Sequence, residues 1–301
     1  MRVLSSIIIL LVLVTLAASA STSTSIGRFL PFSGFYPIPA KTPEPINIIS
    51  GLTYPYYRYP PITYSGNNGQ EDAYLINAGT AVIAVLKNNY TTNIVQGGPL
   101  GKSTYTYLRT VFRWTNNTNG VAYTSINGKN GSPLEVLIVY VNQKYKSYTE
   151  ALKYRDGMFK TNIRIYIGSK PNPAFEPFAA AMKKIQKPGK VAINLQAVFE
   201  WYFYFPSNTR YFVYPGQVLD PNTQKPFYCS TSIVPFFNRA QYISLEQFKD
   251  TFLKVRGSDG NKLITQASQH PVGRRPVAHS RGLVKKPTSN GKTYPSLSGS
   301  N

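Results

Sequence analysis

The sequence predicts a mainly β fold: an antiparallel β-sandwich-like domain with two short helices, a Pro/Tyr-rich N-terminal arm and a disordered basic C-terminal tail. Three observations support this prediction. Runs of β-branched and aromatic residues recur between residues 73 and 219, as strands require. Prolines are concentrated before residue 64. From residue 263 onward the chain has no acidic residue and little apolar surface to bury.

Residues 1–20 have the organisation of a secretory signal peptide. Arg2 precedes an apolar stretch, and the small residues Ala18 and Ala20 suit signal peptidase. The apolar stretch is shorter than the roughly 20 residues that a membrane-spanning helix needs. We therefore expect cleavage after Ala20, no transmembrane anchor in the mature chain, and a secreted, extracellular protein.

Residues 21–64 are predicted to be a Ser/Thr-rich leader followed by an extended arm. Proline fixes φ and lacks an amide donor, so residues 27–64 should pair little with neighbouring strands. The end of the arm, YPYYRYPPITY at 54–64, is expected to lie along a surface. There its rings would cover apolar area while their hydroxyls reach water or polar partners.

Residues 65–262 are predicted to form the β-rich globular domain. Strands are expected at 73–86 (with a bend or bulge at Gly79), 104–114, 135–141 and 162–168. Apolar residues occupy every second position of 191–205, which predicts a long strand. A turn at 206–209 would join it to a second strand, making a hairpin over 191–219.

Two helices are expected within this domain. The segment 171–190 contains an alanine run and ends at Pro188–Gly189. The segment 244–257 begins with Ser244 and Gln247, which have the spacing of a capping box. The single cysteine, Cys229, allows no disulfide within the chain and is expected to be buried on a strand.

Charge predicts the sign of the partner. Lysine and arginine number 33 against 12 acidic residues, giving a net charge of +21. Such a field attracts polyanions. Export points to acidic polysaccharide or acidic matrix proteins and away from nucleic acid. The alternative is that the charge only keeps a tyrosine-rich chain soluble. The tail, 263–301, is predicted to be disordered.

Cations interleaved with aromatic rings in 141–160, together with the basic pairs of the tail, predict the polyanion-binding residues. These are Lys144, Lys146, Lys153, Arg155, Lys160, Arg274, Arg275, Lys285 and Lys286. Acceptor triplets at Asn89 and Asn116 predict N-glycosylation of an exported chain.

The residues that usually carry chemistry are scarce. The two histidines, His270 and His279, both fall in the tail that is predicted to be disordered. Nucleophilic catalysis needs a rigidly held imidazole, and a zinc site needs several histidine or cysteine ligands. We therefore predict no catalytic residue, metal or cofactor. One enzymatic alternative stays open, because Glu200 with Glu135 or Glu176 could form the carboxylate pair of a glycosidase.

In composition the chain resembles proteins of extracellular matrices, including the organic matrix of mineralised shells. This likeness covers no alignable stretch. The resulting hypothesis is a secreted, non-enzymatic structural or adhesive matrix protein that binds acidic polysaccharide or other polyanions. The alternatives are a carbohydrate-active protein (lectin-like or a glycosidase) and a surface or virion structural protein of a thermophilic microbe.

Overall fold

The structure is a computed structural model of the 301-residue chain. It describes residues 44–55, 62–65, 71–88, 93–128, 132–154, 156–200, 210–219, 226–236, 241–264 and 277–280. These residues all lie in one unit, Ala40–Asn301. The predicted signal peptide, most of the predicted arm and Asn89 lie outside the described residues. No helix within the described ranges is both long enough and apolar enough to cross a membrane.

The described residues form fifteen strands and four α-helices. The strands are β1 (Asn47–Ile48), β2 (Tyr54–Pro55), β3 (Ile62–Ser65), β4 (Asp72–Asn77), β5 (Val82–Leu86), β6 (Ile94–Gly97), β7 (Tyr105–Trp114), β8 (Ser125–Ile126), β9 (Leu134–Asn142), β10 (Met158–Gly168), β11 (Gly189–Asn194), β12 (Arg210–Leu219), β13 (Pro226–Phe236), β14 (Gln241–Ser244) and β15 (Ala278–His279). The helices are α1 (Tyr148–Ala151), α2 (Glu176–Lys183), α3 (Leu195–Phe199) and α4 (Leu245–Thr251).

Thirteen of these strands form one sheet, and the prediction of a mainly β fold is confirmed. The main path of the sheet runs β11-β4-β5-β7-β9-β10-β13-β12-β15-β2, with β14 beside β10 and β6 joining β3 to β7. The central strands β5, β7, β9 and β10 are antiparallel, whereas β13 and β14 run parallel to β10. The remaining two strands, β1 and β8, pair with each other in a separate parallel sheet.

The two faces of the central strands differ in chemistry. On the back face, Phe112 packs against Phe178 of α2 at 4.8 Å between ring centroids, and Trp114 lies 5.3 Å from Phe252 beside α4. Successive side chains of a strand alternate between faces, so Arg113 points to the opposite, front face. Helices α2 and α4 thus cover this part of the apolar back face, and the charged residues of the central strands lie on the front.

The capping box predicted at Ser244 is present. The Ser244 hydroxyl accepts a hydrogen bond from the Gln247 amide at 3.1 Å, and the Gln247 side chain accepts one from the Ser244 amide at 3.0 Å. The bend predicted at Gly79 is a tight turn between β4 and β5, with φ at +83°. Glycine takes this left-handed conformation without steric cost.

The long strand predicted over 191–205 is wrong. Strand β11 ends at Asn194, whose side chain accepts a hydrogen bond from the Gln196 amide and so starts α3. Leu195 and Val198, three residues apart, become the buried positions of this helix. β11 pairs with β4, and β12 pairs with β13, so among the described residues of 191–219 the predicted hairpin pairing is not found.

Parts of the predicted arm and tail belong to the packed unit. Ile46 and Ile48 share a buried cluster with Phe212, Tyr214 and Val277. Strand β15 lies between β12 and β2 in the large sheet. The arm boundary at residue 64 and the disorder predicted from residue 263 therefore do not hold for the described residues 44–55, 62–65 and 277–280. Apolar residues spaced among prolines still reach the core.

Candidate functional site

Three neighbouring strands place charged side chains in a row on the front face. Arg113 on β7 is the register partner of Glu135 on β9, and Glu135 is the register partner of Arg164 on β10. Directly opposed residues on adjacent strands project from the same face. Glu135 therefore sits between two guanidinium-bearing side chains. Its own side chain is fully buried, while both arginines are partly exposed.

Burial controls the protonation of Glu135. One carboxylate oxygen, Oε2, accepts a hydrogen bond from the Thr124 amide at 2.6 Å. The other, Oε1, is buried and has no hydrogen-bond partner among the described residues. Desolvation raises the pKa of Glu135 to about 7, although the Thr124 hydrogen bonds and the charges of Arg164 and Lys160 act in the opposite direction. This carboxyl group therefore titrates near neutral pH.

A buried ion pair lies in the same region. Lys160 Nζ on β10 contacts Glu44 Oε2, and each side chain is only 1% exposed. The same Glu44 oxygen accepts hydrogen bonds from the Tyr123 hydroxyl at 3.2 Å and from the Gln217 amide at 3.1 Å. Glu44 thus joins strands that are distant in sequence through one carboxylate.

The Tyr123 ring connects the ion pair to the arginine row. Arg113 Cζ lies 4.7 Å from the ring centroid and Lys160 Nζ lies 5.1 Å from it. Both distances are within the range of cation–π attraction. Desolvation raises the pKa of Tyr123 to about 12, so the ring stays a neutral phenol at physiological pH. We call these six residues the front-face cluster: Glu44, Arg113, Tyr123, Glu135, Lys160 and Arg164.

The front-face cluster has more cations than carboxylates. Three cationic side chains face two carboxyl groups, and protonation of Glu135 increases the surplus. Asn162 lies in the same region with its side chain fully buried. It donates to the Thr124 and Tyr214 hydroxyls, both at 3.2 Å, and its Oδ1 has no partner among the described residues. The surplus of cationic side chains favours an anionic ligand, whereas the Asn162 Oδ1 is a hydrogen-bond acceptor and does not attract one.

The structure separates the residues that were predicted to bind polyanions. Lys144, Lys146 and Lys153 are exposed, and Lys144 lies 3.9 Å from Asp156 and 5.3 Å from the Tyr145 ring centroid. Binding of acidic partners by these three stays a prediction. Lys160 does not belong with them, because its side chain is buried against Glu44. The others lie outside the described residues: Arg155, Arg274, Arg275, Lys285 and Lys286.

Asn116 is exposed, so its predicted glycosylation stays a prediction, as does that of Asn89.

The carboxylate pair proposed for a glycosidase is not brought together. Glu135 points to the front face, while Glu200 caps the C-terminal end of α3. Glu176 accepts a hydrogen bond from the Gln247 side chain at 2.7 Å. The glycosidase alternative is therefore wrong.

The sequence profile of the family described as eukaryotic-type carbonic anhydrase matches residues 40–280. The chain belongs to this family. Mouse carbonic anhydrase 15 is 25% identical over 189 residues, which cover 61% of this chain and 58% of the relative. Human carbonic anhydrase 3 is 28% identical over 160 residues, covering 53% and 58%. Mouse carbonic anhydrase 1 is 24% identical over 160 residues, covering 53% and 59%. The chain thus spans somewhat under two thirds of these relatives.

Membership of the carbonic anhydrase family overturns the functional hypothesis drawn from composition. The prediction of a non-enzymatic structural matrix protein, with its link to mineralised shells, is wrong: the family profile covers most of the chain and its named relatives are enzymes. The prediction that the chain belongs to no enzyme class is wrong for the same reason. Net charge and tyrosine content are properties of composition, and they do not specify the fold or the family of a protein.

The residues of this chain do not fit the zinc site of carbonic anhydrase. That enzyme holds its catalytic zinc through three histidines. This sequence has two histidines and one cysteine. His279 lies on β15, nearly buried, with its Nδ1 2.7 Å from the Thr53 hydroxyl. The described residues contain no group of three histidine, cysteine, aspartate or glutamate side chains that could hold a metal ion. A three-histidine site therefore cannot be assembled from this chain.

Most of the front-face cluster was missed by reasoning from the sequence. The sequence predicts Lys160 as a surface residue that binds polyanions and Glu135 only as a possible glycosidase carboxylate, and it places Glu44 in the proline-rich arm without a role. One signal was present. Glu135, at the start of the apolar run EVLIVYV, and Arg164, within NIRIYIG, interrupt strands that are otherwise apolar or β-branched. Charged residues in such strands are seldom buried without partners.

Proposed function

We propose that this chain binds a small planar oxyanion of the bicarbonate class at the front-face cluster. The observation that carries the proposal is the row Arg113–Glu135–Arg164, in which two guanidinium groups flank one carboxyl group. Bicarbonate is the natural candidate because the family is named for its action on carbonic acid. We also place this function outside the cell, on the strength of the signal-like leader.

Arginine suits this ligand. The guanidinium group is planar and forms paired hydrogen bonds with two oxygens of a planar anion. Arg113 and Arg164 are partly exposed, so solvent reaches them, whereas Glu135 and Lys160 are buried behind them. The anion would then bind at the outer edge of the cluster, where the cationic surplus attracts it.

Glu135 makes the affinity depend on pH. As an anion, Glu135 competes with the ligand for the two arginines. Once protonated, below its pKa of about 7, it leaves the cluster more cationic. Affinity for an anion of fixed charge should therefore rise as the pH falls through neutrality. Nitrate is a suitable probe because it is planar, has three oxygens and keeps one negative charge throughout this range.

The test is calorimetric titration of nitrate and of bicarbonate into the wild-type chain, Arg113→Gln and Lys144→Gln. Arg113→Gln should weaken both anions about tenfold, since one set of charge-assisted hydrogen bonds is lost. Lys144→Gln is the matched control: it removes one positive charge from an exposed site outside the cluster and should leave affinity nearly unchanged. Equal weakening by the two variants would reduce the effect to net charge and contradict the proposal.

Hydration of CO2 is measured separately on the same preparations, with a chelator and with added zinc. Because the three imidazole ligands are missing, we expect added zinc to leave the rate unchanged. A zinc-dependent increase that Arg113→Gln leaves intact would indicate a metal site elsewhere in the chain. That result would argue against the front-face cluster as the functional site.

A further inference from the structure

A cavity of about 310 Å³ opens on the other side of the sheet from the front-face cluster. It lies between α3 and strands β3, β6, β7 and β9. Tyr140 lines this cavity. On β9, Tyr140 is an odd number of residues from Glu135, so its side chain projects from the opposite, back face. The volume is at the lower end of the range for small-molecule sites. It suits a ligand with one ring.

Aromatic rings form the fixed part of this cavity. Tyr107 meets Phe199 edge to face at 5.4 Å and Tyr140 in the same manner at 6.5 Å. Its hydroxyl donates to the Ala84 carbonyl at 2.9 Å, which holds the ring in place. Tyr140 is stacked on Phe159 at 4.5 Å. Tyr64 adds a further ring to the lining. A rigid aromatic wall favours a flat ligand, because few side-chain rotations are lost on binding.

Among the described lining residues, Glu200 carries the charged side chain, and it is acidic. Glu200, at the C-terminal end of α3, is exposed and faces the cavity with Asn93. A second carboxylate, Glu71, accepts a hydrogen bond from the Asn93 side chain, and its backbone carbonyl accepts one from the Leu195 amide at 2.8 Å. Glu71 thereby ties the start of α3 to the cavity. Glu200 thus lines the cavity, and Glu71 lies behind the lining as the hydrogen-bond partner of Asn93.

We propose that this back-face cavity binds an arylalkylamine, a ligand with one aromatic ring and a protonated amine on a short alkyl chain. The ligand ring would pack against Tyr107, Tyr140 and Phe199, and its ammonium group would reach the Glu200 carboxylate. Aromatic faces attract cations, and a carboxylate forms a charge-assisted hydrogen bond with an ammonium group. An organic acid of the same shape would meet Glu200 with the wrong charge. The site is distinct from the front-face cluster, and the proposal does not depend on oxyanion binding there.

The test uses three probes of similar size: 2-phenylethylamine, 3-phenylpropanoate and 2-cyclohexylethylamine. Calorimetry or ligand-observed NMR on the full chain should show binding of 2-phenylethylamine and at least several-fold weaker binding of the other two. Binding of 3-phenylpropanoate as tight as that of the amine would overturn the proposal. So would absence of binding by 2-phenylethylamine at millimolar concentration.

Two variants locate the site. Glu200→Gln should weaken 2-phenylethylamine about tenfold, the size expected for loss of a hydrogen bond to a charged group. Because Glu200 is exposed, this variant should fold normally. Glu246→Gln, an equally exposed acid in the first turn of α4, is the matched control and should leave affinity unchanged. Phe199→Leu should weaken binding by roughly threefold through the lost ring contact.

Nitrate titration of Glu200→Gln separates the two sites. Unchanged nitrate affinity together with weakened amine binding would support two independent sites. Loss of both ligands in this variant would point to a general disturbance of the fold and contradict the assignment of the amine to the cavity. Equal affinity of Glu200→Gln and the wild-type chain for 2-phenylethylamine would also exclude binding of the amine at Glu200.

Discussion

Lys160 and Glu44, separated by 116 positions in the sequence, form an ion pair in which each side chain is only 1% exposed. Lys160 lies on the central strand β10, and Glu44 precedes β1 in a segment rich in proline. Taking two charges out of water is costly, so such a pair is maintained only when its geometry and hydrogen bonds compensate for desolvation. The Tyr123 hydroxyl and the Gln217 amide supply those hydrogen bonds to Glu44.

Removing one partner of this pair should be strongly destabilising. We expect Lys160→Met to lower the free energy of unfolding by about 3–5 kcal/mol, because Glu44 is left as a buried charge without its cation. Urea unfolding at neutral pH, followed by tyrosine and tryptophan fluorescence, measures the change.

The double variant Lys160→Met with Glu44→Gln supplies the control. It removes both charges at once and should be less destabilised than the sum of the two single variants. Additive losses would show that the two side chains contribute independently and that the ion pair is not the source of the effect.

Glu135 should make stability depend on pH in the direction opposite to that of an ordinary carboxylate. Its pKa rises from 4.5 to about 7 on folding, so the folded state binds this proton more tightly than the unfolded state. The resulting stabilisation is complete below pH 4.5 and is lost as the pH rises through 7. The shift corresponds to roughly 3 kcal/mol. Thermal or urea unfolding between pH 4.5 and 8 measures it.

Glu135→Gln isolates this contribution, since glutamine resembles the neutral acid and keeps an acceptor for the Thr124 amide. The stability of the wild-type chain relative to this variant should decline across the same pH interval. Glu246→Gln, at an exposed site, should show no such trend. A relative stability of Glu135→Gln that is constant with pH would mean that the carboxyl group is not perturbed by burial.

The central sheet could be predicted because its pattern is local. Strands near 104–114, 135–141 and 162–168 and the capping box at Ser244 depend on neighbouring residues in the chain, and all appear in the structure. The segment 191–205 was misassigned because its alternation satisfied a strand, while one hydrogen bond from the Gln196 amide to Asn194 begins a helix there. The N-cap at Asn194 begins a helix even though the apolar residues that follow it alternate with the period of a strand.

The front-face cluster could not be predicted by such local patterns. Arg113, Glu135 and Arg164 meet only because β7, β9 and β10 are adjacent in a specific register. Strand register is determined by the packing of the whole sheet, which one strand's sequence does not reveal. For the same reason, the sequence does not distinguish Lys160 on β10 from the exposed lysines, although its side chain is buried against Glu44.

His279 should destabilise the protein in acid. It is nearly buried on β15, and desolvation lowers its pKa below 6.5. A group with a lowered pKa in the folded state contributes stability above its unfolded pKa, and that contribution is lost as the pH falls. We expect His279→Asn to lose less stability than the wild-type chain between pH 7.5 and 5, measured by urea unfolding.

The only other histidine in the sequence, His270, supplies the comparison. A change of profile shared by His270→Asn and His279→Asn would reflect the loss of an imidazole in general and not the burial of His279. Because Glu135 and His279 act in opposite directions over overlapping pH ranges, only differences between variants separate them. Identical profiles for His279→Asn and the wild-type chain would contradict the buried placement of β15.

Gly157 should tolerate no side chain. A Cβ atom at this position would lie 1.8 Å from the Ala151 carbonyl oxygen, which is backbone and cannot rotate away. We expect Gly157→Ala to lower the free energy of unfolding by about 1–3 kcal/mol, the range for overpacking a close contact. Gly189→Ala is the matched control, because its nearest neighbour beyond the adjacent residues is the Lys187 carbonyl oxygen at 3.8 Å. Equal stability of the two variants would show that the segment between β9 and β10 does not pack on the sheet through Ala151.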